Sequence, residues 1–176
     1  MLNRNFKTIM LGWLMGSVTR GDEAPMLAGQ TIYNVGGGSG TYPIDTENTV
    51  QTNAIINALN TLSTSNTIAR QAANRLFMVV GTGTTEATAE DYTLESENTD
   101  ITCEAITQTY TTSYKRQITA TFNNPTAQDI TLKEVGLFYE TYINENFYTN
   151  TIMLARENIN VTIPAGESKA ITMEIG

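Results

Sequence analysis

The sequence predicts a mainly β protein: a jelly-roll-like antiparallel β-sandwich, preceded by an N-terminal arm of short helical or extended segments. Apolar and polar residues alternate with a period of two through much of the second half. Turn-forming residues separate these alternating runs. The 176-residue chain also contains 30 Thr and 17 Asn, residues that favour strands and turns over helices.

The strands are predicted where the alternation is clearest, at 118–122, 159–163 and 171–175. The segment 129–139 is apolar on both faces toward its end, which predicts a central strand with Gly136 at a close approach or bulge. Residues 77–80 predict a short buried strand. The predicted core includes Ile118, Phe122, Ile130, Leu132, Leu137, Ile163, Ile171 and Met173.

Three turn signals punctuate these strands, at 81–83, 123–126 and 164–167. We expect two of them to join runs that pair as neighbouring antiparallel strands. A parallel α/β sheet would need helical patterns between the strands, and the second half has none.

The first half is less regular. We interpret residues 1–40 as an arm, 41–75 as a connecting region and 76–176 as the sandwich domain. Helix-like spacing occurs at 50–62 and 67–77, and the glycine-rich stretch 36–40 reads as a hinge. The apolar run 9–18 resembles a signal peptide in shape, but without a convincing cleavage site an arm that docks on a partner or packs on its own domain is favoured.

Composition excludes several classes of function. The chain has no His and one Cys, which excludes Ser-His-Asp catalysis, His-ligated metals and intramolecular disulfides. Its formal net charge of -8 argues against binding nucleic acid or acidic membranes. We therefore expect no enzyme, no cofactor and no metal. Cys103 is expected to be a buried, inert thiol.

Two groups of residues could carry chemistry. The run Gly81-Thr82-Gly83 lacks the lysine of a phosphate-binding loop and is interpreted as a turn. Six acids crowd residues 86–100 and are interpreted as solvated loop charges, with calcium binding and glycoside hydrolysis as alternatives. The six acids are Glu86, Glu90, Asp91, Glu95, Glu97 and Asp100.

Glu134 lies inside an apolar strand, where a buried carboxylate needs a cation. Arg156 is the candidate partner, in a pair that we interpret as structural.

Aromatic residues suggest either a sugar-stacking surface or a subunit contact. The residues concerned are Tyr110, Tyr114, Tyr139, Tyr142, Phe147 and Tyr148. The last four surround Asn144-Glu145-Asn146 and could instead pack a long hairpin or a subunit contact. As candidate interface residues we take Phe6, Trp13, Leu14, Tyr142, Phe147 and Tyr148.

The order of several segments resembles structural proteins of tailed-bacteriophage virions. The similarity covers 76–176 and is carried by Val79-Val80-Gly81-Thr82-Gly83-Thr84-Thr85, Asp91-Tyr92-Thr93-Leu94, Ile118-Thr119-Ala120-Thr121-Phe122-Asn123-Asn124, Ile130-Thr131-Leu132-Lys133-Glu134-Val135-Gly136-Leu137-Phe138, Met153-Leu154-Ala155-Arg156 and Val161-Thr162-Ile163-Pro164-Ala165-Gly166-Glu167-Ser168. The opening Met1-Leu2-Asn3-Arg4-Asn5-Phe6 is also similar.

The resemblance implies a non-enzymatic virion component on the head surface, as decoration or head fibre, or in the tail apparatus. It also implies a symmetric homo-oligomer, for which we expect a trimer, contacts to capsid, portal-proximal or tail proteins, and synthesis in the host bacterial cytoplasm. A carbohydrate-binding or adhesive surface module is the alternative, and a small enzyme that uses carboxylates alone is a third class. Co-purification with particles, glycan binding and turnover would distinguish the three.

Overall fold

The computed structural model describes residues 31–33, 39–41, 62–64, 75–110, 115–142 and 149–175, with backbone alone at 31–33, 39–41, 141–142 and 149–150. Every regular element in these residues is a strand, so the described chain is mainly β as predicted. The strands are β1 Thr31–Tyr33, β2 Ser39–Thr41, β3 Arg75–Gly81, β4 Thr102–Tyr110, β5 Arg116–Asn123, β6 Ile130–Tyr142, β7 Thr149–Ile163 and β8 Ser168–Ile175. No helix within the described ranges is long and apolar enough to cross a membrane.

The strands form two three-stranded antiparallel sheets, ordered β3-β6-β7 and β4-β5-β8, and a separate β1-β2 pair. β6 is central, as predicted for 129–139. The β1-β2 pair places Gly40, the last residue of the predicted hinge, inside a strand.

The predicted pairing of strands across the turns at 123–126 and 164–167 is wrong. The first turn leads from β5 to β6 and the second from β7 to β8, and each of these pairs is divided between the two sheets. Both turns therefore carry the chain from one sheet to the other. Gly166 has a φ of 71° in the second turn, a conformation that glycine adopts without strain.

The helical interpretation of 67–77 is also wrong where the structure describes it, because residues 75–77 belong to β3. Leu76 forms a parallel bridge to Leu62, and the Ser63 amide donates to the Leu76 carbonyl at 2.9 Å. The apolar spacing that suggested a helix face ends in a strand that is buried on both sides. Helix-like spacing before residue 62 lies outside the described residues.

One large hydrophobic cluster contains side chains from both three-stranded sheets. Seven of the eight predicted core residues are buried, and Ile130 is partly buried against the same cluster. A second, smaller cluster lies on the other face of the β3-β6-β7 sheet and consists of Phe77, Val79, Leu94, Phe138 and Met153. This sheet is therefore apolar on both faces near its centre.

Candidate functional site

A buried carboxylate organises the second face of the β3-β6-β7 sheet. Glu134 of β6 has no exposed surface, and its carboxylate accepts four hydrogen bonds. The donors are the amides of Gly83 (3.1 Å), Glu95 (3.1 Å) and Ser96 (2.8 Å) and the Arg156 Nε (2.8 Å). Four donors fill the acceptor sites of a carboxylate, so Glu134 is a structural acceptor that holds backbone.

Arg156 of β7 completes this arrangement, as the sequence predicted. Its side chain is 3% exposed and binds Glu134 through Nε. Its Nη1 donates to Asp91 at 2.7 Å, and its Nη2 donates to the Thr85 carbonyl at 3.0 Å. Glu95 lies 3.9 Å from Nη2. We call Gly83, Asp91, Glu95, Ser96, Glu134 and Arg156 the Arg156 clasp.

The clasp fastens the loop 82–97 across the sheet from β3 to β7. The Glu95 carboxylate accepts the Thr85 amide and hydroxyl, both at 2.8 Å. Asn158 of β7 accepts the Ala87 amide at 2.6 Å and donates to the Thr85 carbonyl at 2.9 Å. Side chains of β6 and β7 thus bind backbone groups of the loop. Within the loop, the Glu95 side chain binds the loop's own backbone.

Two glycines, Gly83 in the clasp and Gly136 beside it, allow the loop and the sheet to approach each other closely. A Cβ at Gly83 would lie 2.5 Å from the Glu134 Oε1, and one at Gly136 would lie 2.5 Å from Phe138 Cε2 and 2.9 Å from Leu94 Cδ2. Gly136 is therefore the close approach that the sequence predicted, and Leu94 of the loop packs onto it. The turn interpretation of 81–83 missed that Gly83 is buried and binds Glu134.

The electrostatics follow from this crowding. Burial raises the pKa of Asp91, but hydrogen bonds from Thr88 and Arg156 outweigh burial and lower the pKa below 3.8. Hydrogen bonds from Thr85 lower the pKa of Glu95. Burial lowers the pKa of Arg156, while the hydrogen bond to Asp91 and the charge of Glu134 more than offset this and raise it. All three groups are thus held in their charged forms.

The interpretation of the acids at 86–100 as solvated loop charges is wrong for Asp91, which is partly buried and bonded to Arg156 and Thr88. Glu95 is exposed as predicted, but its carboxylate is held by the Thr85 amide and hydroxyl. Within the described part of the chain, no three acidic or cysteine side chains are arranged to hold a metal ion. The cation at the centre of these acids is the Arg156 guanidinium.

A second buried ion pair lies at the other end of the same sheet face. Arg75 of β3 and Glu140 of β6 are cross-strand partners, joined through Nε at 2.7 Å. The guanidinium carbon lies 5.2 Å from the centre of the Phe77 ring, and Nη1 donates to Ser63 at 3.2 Å. This pair was not predicted from the sequence. The available signal was that Glu140 directly follows the apolar residues of β6, whereas Glu134 lies among them.

The structure separates the predicted aromatic group. Tyr139 is buried in the main core, so it cannot stack on a sugar, whereas Tyr110 is 66% exposed. Tyr92, which was not in the predicted group, is 40% exposed. Tyr142 lies at the end of β6, where it is the register partner of Thr149 in the long β6-β7 hairpin. The remaining candidates Phe6, Trp13, Leu14, Tyr114, Phe147 and Tyr148 lie outside the described residues.

Cys103 lies on β4 and is half-buried, less than predicted. Desolvation raises the pKa of its thiol, and the negative charge of Glu104 adds to this. A raised pKa keeps the thiol in its less reactive protonated form.

No protein-family model, curated protein or solved structure matches the chain.

Proposed function

We propose that the protein is a non-enzymatic structural component of a tailed-bacteriophage particle, on the head surface or in the tail apparatus. The observation that carries this proposal is the Arg156 clasp. Four segments on which the resemblance rests contribute to it or pack on it: 79–85 through Gly83, 91–94 through Asp91 and Leu94, 130–138 through Glu134 and Gly136, and 153–156 through Arg156.

These segments are up to 73 residues apart, from Gly83 to Arg156, yet they form one cluster that holds the loop on the sheet. Each segment supplies a hydrogen-bond donor, an acceptor or a packing contact to another, which gives their joint occurrence a physical basis. This coherence supports treating the resemblance as one fold signature. It also supports a structural role, because the buried charges of the clasp are used to hold a loop onto a sheet.

The finer architecture proposed is a jelly-roll-like antiparallel β-sandwich with an N-terminal arm. It is supported by the main hydrophobic cluster, which takes side chains from both three-stranded sheets, and by the two turns that cross between them. We propose that residues 1–40 dock the subunit on the particle and that copies assemble as a trimer. The protein would be made in the bacterial cytoplasm and incorporated into the virion.

The proposal is tested by following the protein into particles. Phage particles from a lysate of the encoding phage are banded on a density gradient, washed in high salt and analysed by quantitative mass spectrometry. The expected result is that the protein bands with the particles at a fixed copy number relative to the major capsid protein. Recovery only in the soluble fraction, or turnover of a substrate that is lost when a single acid is replaced, would contradict the proposal.

A further inference from the structure

The edge strand β4 is the most exposed of the strands whose side chains are described. None of its nine residues is buried, whereas β3, β5, β6, β7 and β8 all contain buried residues. It lies at the edge of the β4-β5-β8 sheet, and β5 is its only strand partner among the described residues. In an antiparallel pair, alternate residues turn both the amide and the carbonyl away from the partner strand. The outer edge of β4 therefore presents backbone donors and acceptors to solvent.

The other sheet closes the corresponding edge at β3. The Ser63 amide donates to the Leu76 carbonyl at 2.9 Å, and the Asn98 amide donates to the Val80 carbonyl at 2.9 Å. Within the part of the chain that the structure describes, no such backbone hydrogen bond reaches β4 from outside β5. The edge of β3 is thus capped, and the edge of β4 is open.

Charged side chains distinguish the remaining two edge strands from β4. β7 contains Arg156 and Glu157, and β8 contains Lys169 and Glu174. Charges within an edge strand are one of the usual devices that keep a sheet from pairing with another chain. A β-bulge is a second device, because it bends the strand and interrupts the regular spacing of its backbone groups.

On β4 both devices occur only at the start of the strand. The register with β5 shifts between Cys103 and Ala105, and the extra residue in this bulge is the charged Glu104. The stretch 105–110 that follows reads Ala-Ile-Thr-Gln-Thr-Tyr, with no charge and no proline. Six extended residues span about 20 Å at about 3.3 Å each. We call residues 105–110 the open edge.

The open edge specifies the chemistry of what it can bind. Its alternating amides and carbonyls are matched by another extended backbone, whereas a helix uses these groups internally. Its two ends differ in charge: Glu104 lies at one end, and Arg116, the register partner of Tyr110, lies at the other. Lys115 and Glu174 pair with each other at 2.5 Å beside Arg116. An antiparallel strand that starts with an acid and ends with a base is complementary to this arrangement.

The side chains of β4 add a preference at alternate positions. Ile106 is partly buried against the main hydrophobic cluster, and Gln108 shares its side of the strand. Residues directly opposite each other in an antiparallel pair are neighbours on one face. An apolar residue opposite Ile106 would therefore extend the main cluster. Thr107 and Thr109 point to the other face and are exposed, so small polar residues fit opposite them.

We propose that the open edge binds an extended segment of a partner protein, which joins the β4-β5-β8 sheet as an antiparallel fourth strand beside β4. The segment has an acidic residue at its start, a basic residue at its end and apolar residues at alternate positions between them. Binding is a property of the isolated chain. Its role in a particle, where a neighbouring protein would supply the segment, rests on the function proposed above.

The test uses the synthetic heptapeptide Glu-Thr-Val-Thr-Val-Thr-Lys, blocked at both ends, as the probe. In antiparallel register its lysine lies opposite Glu104 and its second valine opposite Ile106. Titrated into the isotope-labelled full chain at up to about 1 mM, the probe should bind saturably and shift the amide resonances of the open edge. Two control peptides carry N-methyl groups, one on the threonine amides and one on the valine amides. Only one of these sets faces β4, so one control should bind at least tenfold more weakly than the other.

Thr107→Pro and Gln108→Pro locate the site on the protein. Amides of neighbouring residues point to opposite edges of a strand, so one substitution removes a bond to β5 and the other removes an outward donor. The variant that loses the outward donor should melt like the wild type and bind the probe at least tenfold more weakly. The methylated peptides keep the test decisive should both variants melt at a lower temperature.

The proposal is overturned by the absence of saturable binding, by equal binding of the two methylated controls, or by resonance shifts centred on another strand. A chain that doubles in mass through the open edge without the probe would put a second copy in place of the partner segment, which would also overturn it. A protein that binds the probe as expected but does not band with particles would instead overturn the proposed function alone.

Discussion

At the scale of single residues, the Glu134–Arg156 pair of the clasp places two charges where water is excluded. Glu134 and Arg156 expose 0% and 3% of their side chains, so neither can be solvated when the other is removed. Removing one partner of a buried pair leaves an uncompensated charge, which costs far more than the pair contributes.

Replacement of Arg156 by Met should therefore lower the free energy of unfolding by about 3–5 kcal/mol. This loss is measured by urea denaturation, with far-UV circular dichroism as the probe of folded strand structure. Glu134→Gln combined with Arg156→Met should cost less than the sum of the two single changes, because the groups interact directly. Lys169→Met on the exposed end of β8 is the control, expected within about 0.5 kcal/mol of wild type. Equal losses for the Arg156 and Lys169 variants would contradict the structural role of the clasp.

Gly136 tests the packing of the loop on the sheet. Gly136→Ala should cost about 1–3 kcal/mol, because its Cβ would overlap Phe138 and Leu94. Leu94→Ala is itself destabilising because Leu94 is buried, but it removes one of the two clashes. Gly136→Ala should therefore cost less in the Leu94→Ala background than in the wild type. Gly166→Ala is a useful contrast, since nothing lies within 4 Å of its Cβ and only backbone strain of about 1 kcal/mol opposes it. Equal costs of Gly136→Ala in the two backgrounds would show that the loop does not press on Gly136.

The lowered pKa values of Asp91 and Glu95 predict sensitivity to acid. A carboxyl whose pKa is depressed by folding contributes stability above its unfolded pKa, and this is lost as the pH falls through the folded value. For Asp91 that loss begins near its ordinary pKa of 3.8 and is complete below the folded pKa. Thermal melts between pH 6 and pH 2.5 should show Asp91→Asn losing less stability with acid than wild type. Parallel curves for the two proteins would contradict the assignment.

At the scale of elements, Asn124 links the two turns that cross between the sheets. It is fully buried, and its Nδ2 donates to the carbonyls of Gln128 (2.7 Å) and Ile163 (2.9 Å). Its backbone amide donates to the Glu167 carbonyl, and its carbonyl accepts the Gly166 amide. One side chain thus fixes the end of β7 relative to the start of β6.

Asn124→Ala should cost about 2–4 kcal/mol, because two buried carbonyls lose their donors. The neighbouring Asn123 is the matched control. Its amide bonds the exposed Ser168 hydroxyl at 3.0 Å, and Asn123→Ala should cost about 0.5 kcal/mol. Chemical denaturation of both variants gives the comparison, and similar losses would show that Asn124 is not the link between the turns.

The predictability of the elements depended on how much of each strand is buried. Strands β5 and β8 bury one face, so their alternation was visible, and β3 and β6 appeared as apolar runs. β4 was not predicted, because its residues are exposed or half-buried on both faces and carry little apolar pattern. A turn signal shows that the chain reverses, but not whether it stays in the same sheet, and the two crossings at 123–126 and 164–167 were therefore missed.

The candidate site shows the same limit. Glu134 and Arg156 were paired correctly because a buried acid requires a cation, an argument that needs no distance. Asp91 and Glu95 could not be assigned, since six acids in one loop look alike until the fold selects those that meet the guanidinium. Gly83 was read as a turn residue because nothing local distinguishes a turn from a glycine that lets a carboxylate approach.

At the scale of the whole molecule, the N-terminal region is expected to act separately from the domain. Removal of residues 1–40 should leave a soluble protein that melts cooperatively but no longer joins particles, because the apolar residues of the arm would serve docking. Scanning calorimetry and particle co-sedimentation measure the two properties. Loss of folding would show that the arm packs on the β domain of its own chain. Unchanged incorporation into particles would contradict docking.

The clasp also constrains when the protein can fold. Its contacts join residues 22 to 71 positions apart along the chain, and contacts this distant slow the search for the native state. During synthesis β3 and the loop 82–97 leave the ribosome long before Glu134 and Arg156, and β8 is made last. The strand β3 therefore lacks its partner β6, and the loop lacks its anchor, until residues 134 and 156 have been made. A chaperone that shields the apolar residues of β3 during that interval would favour correct folding.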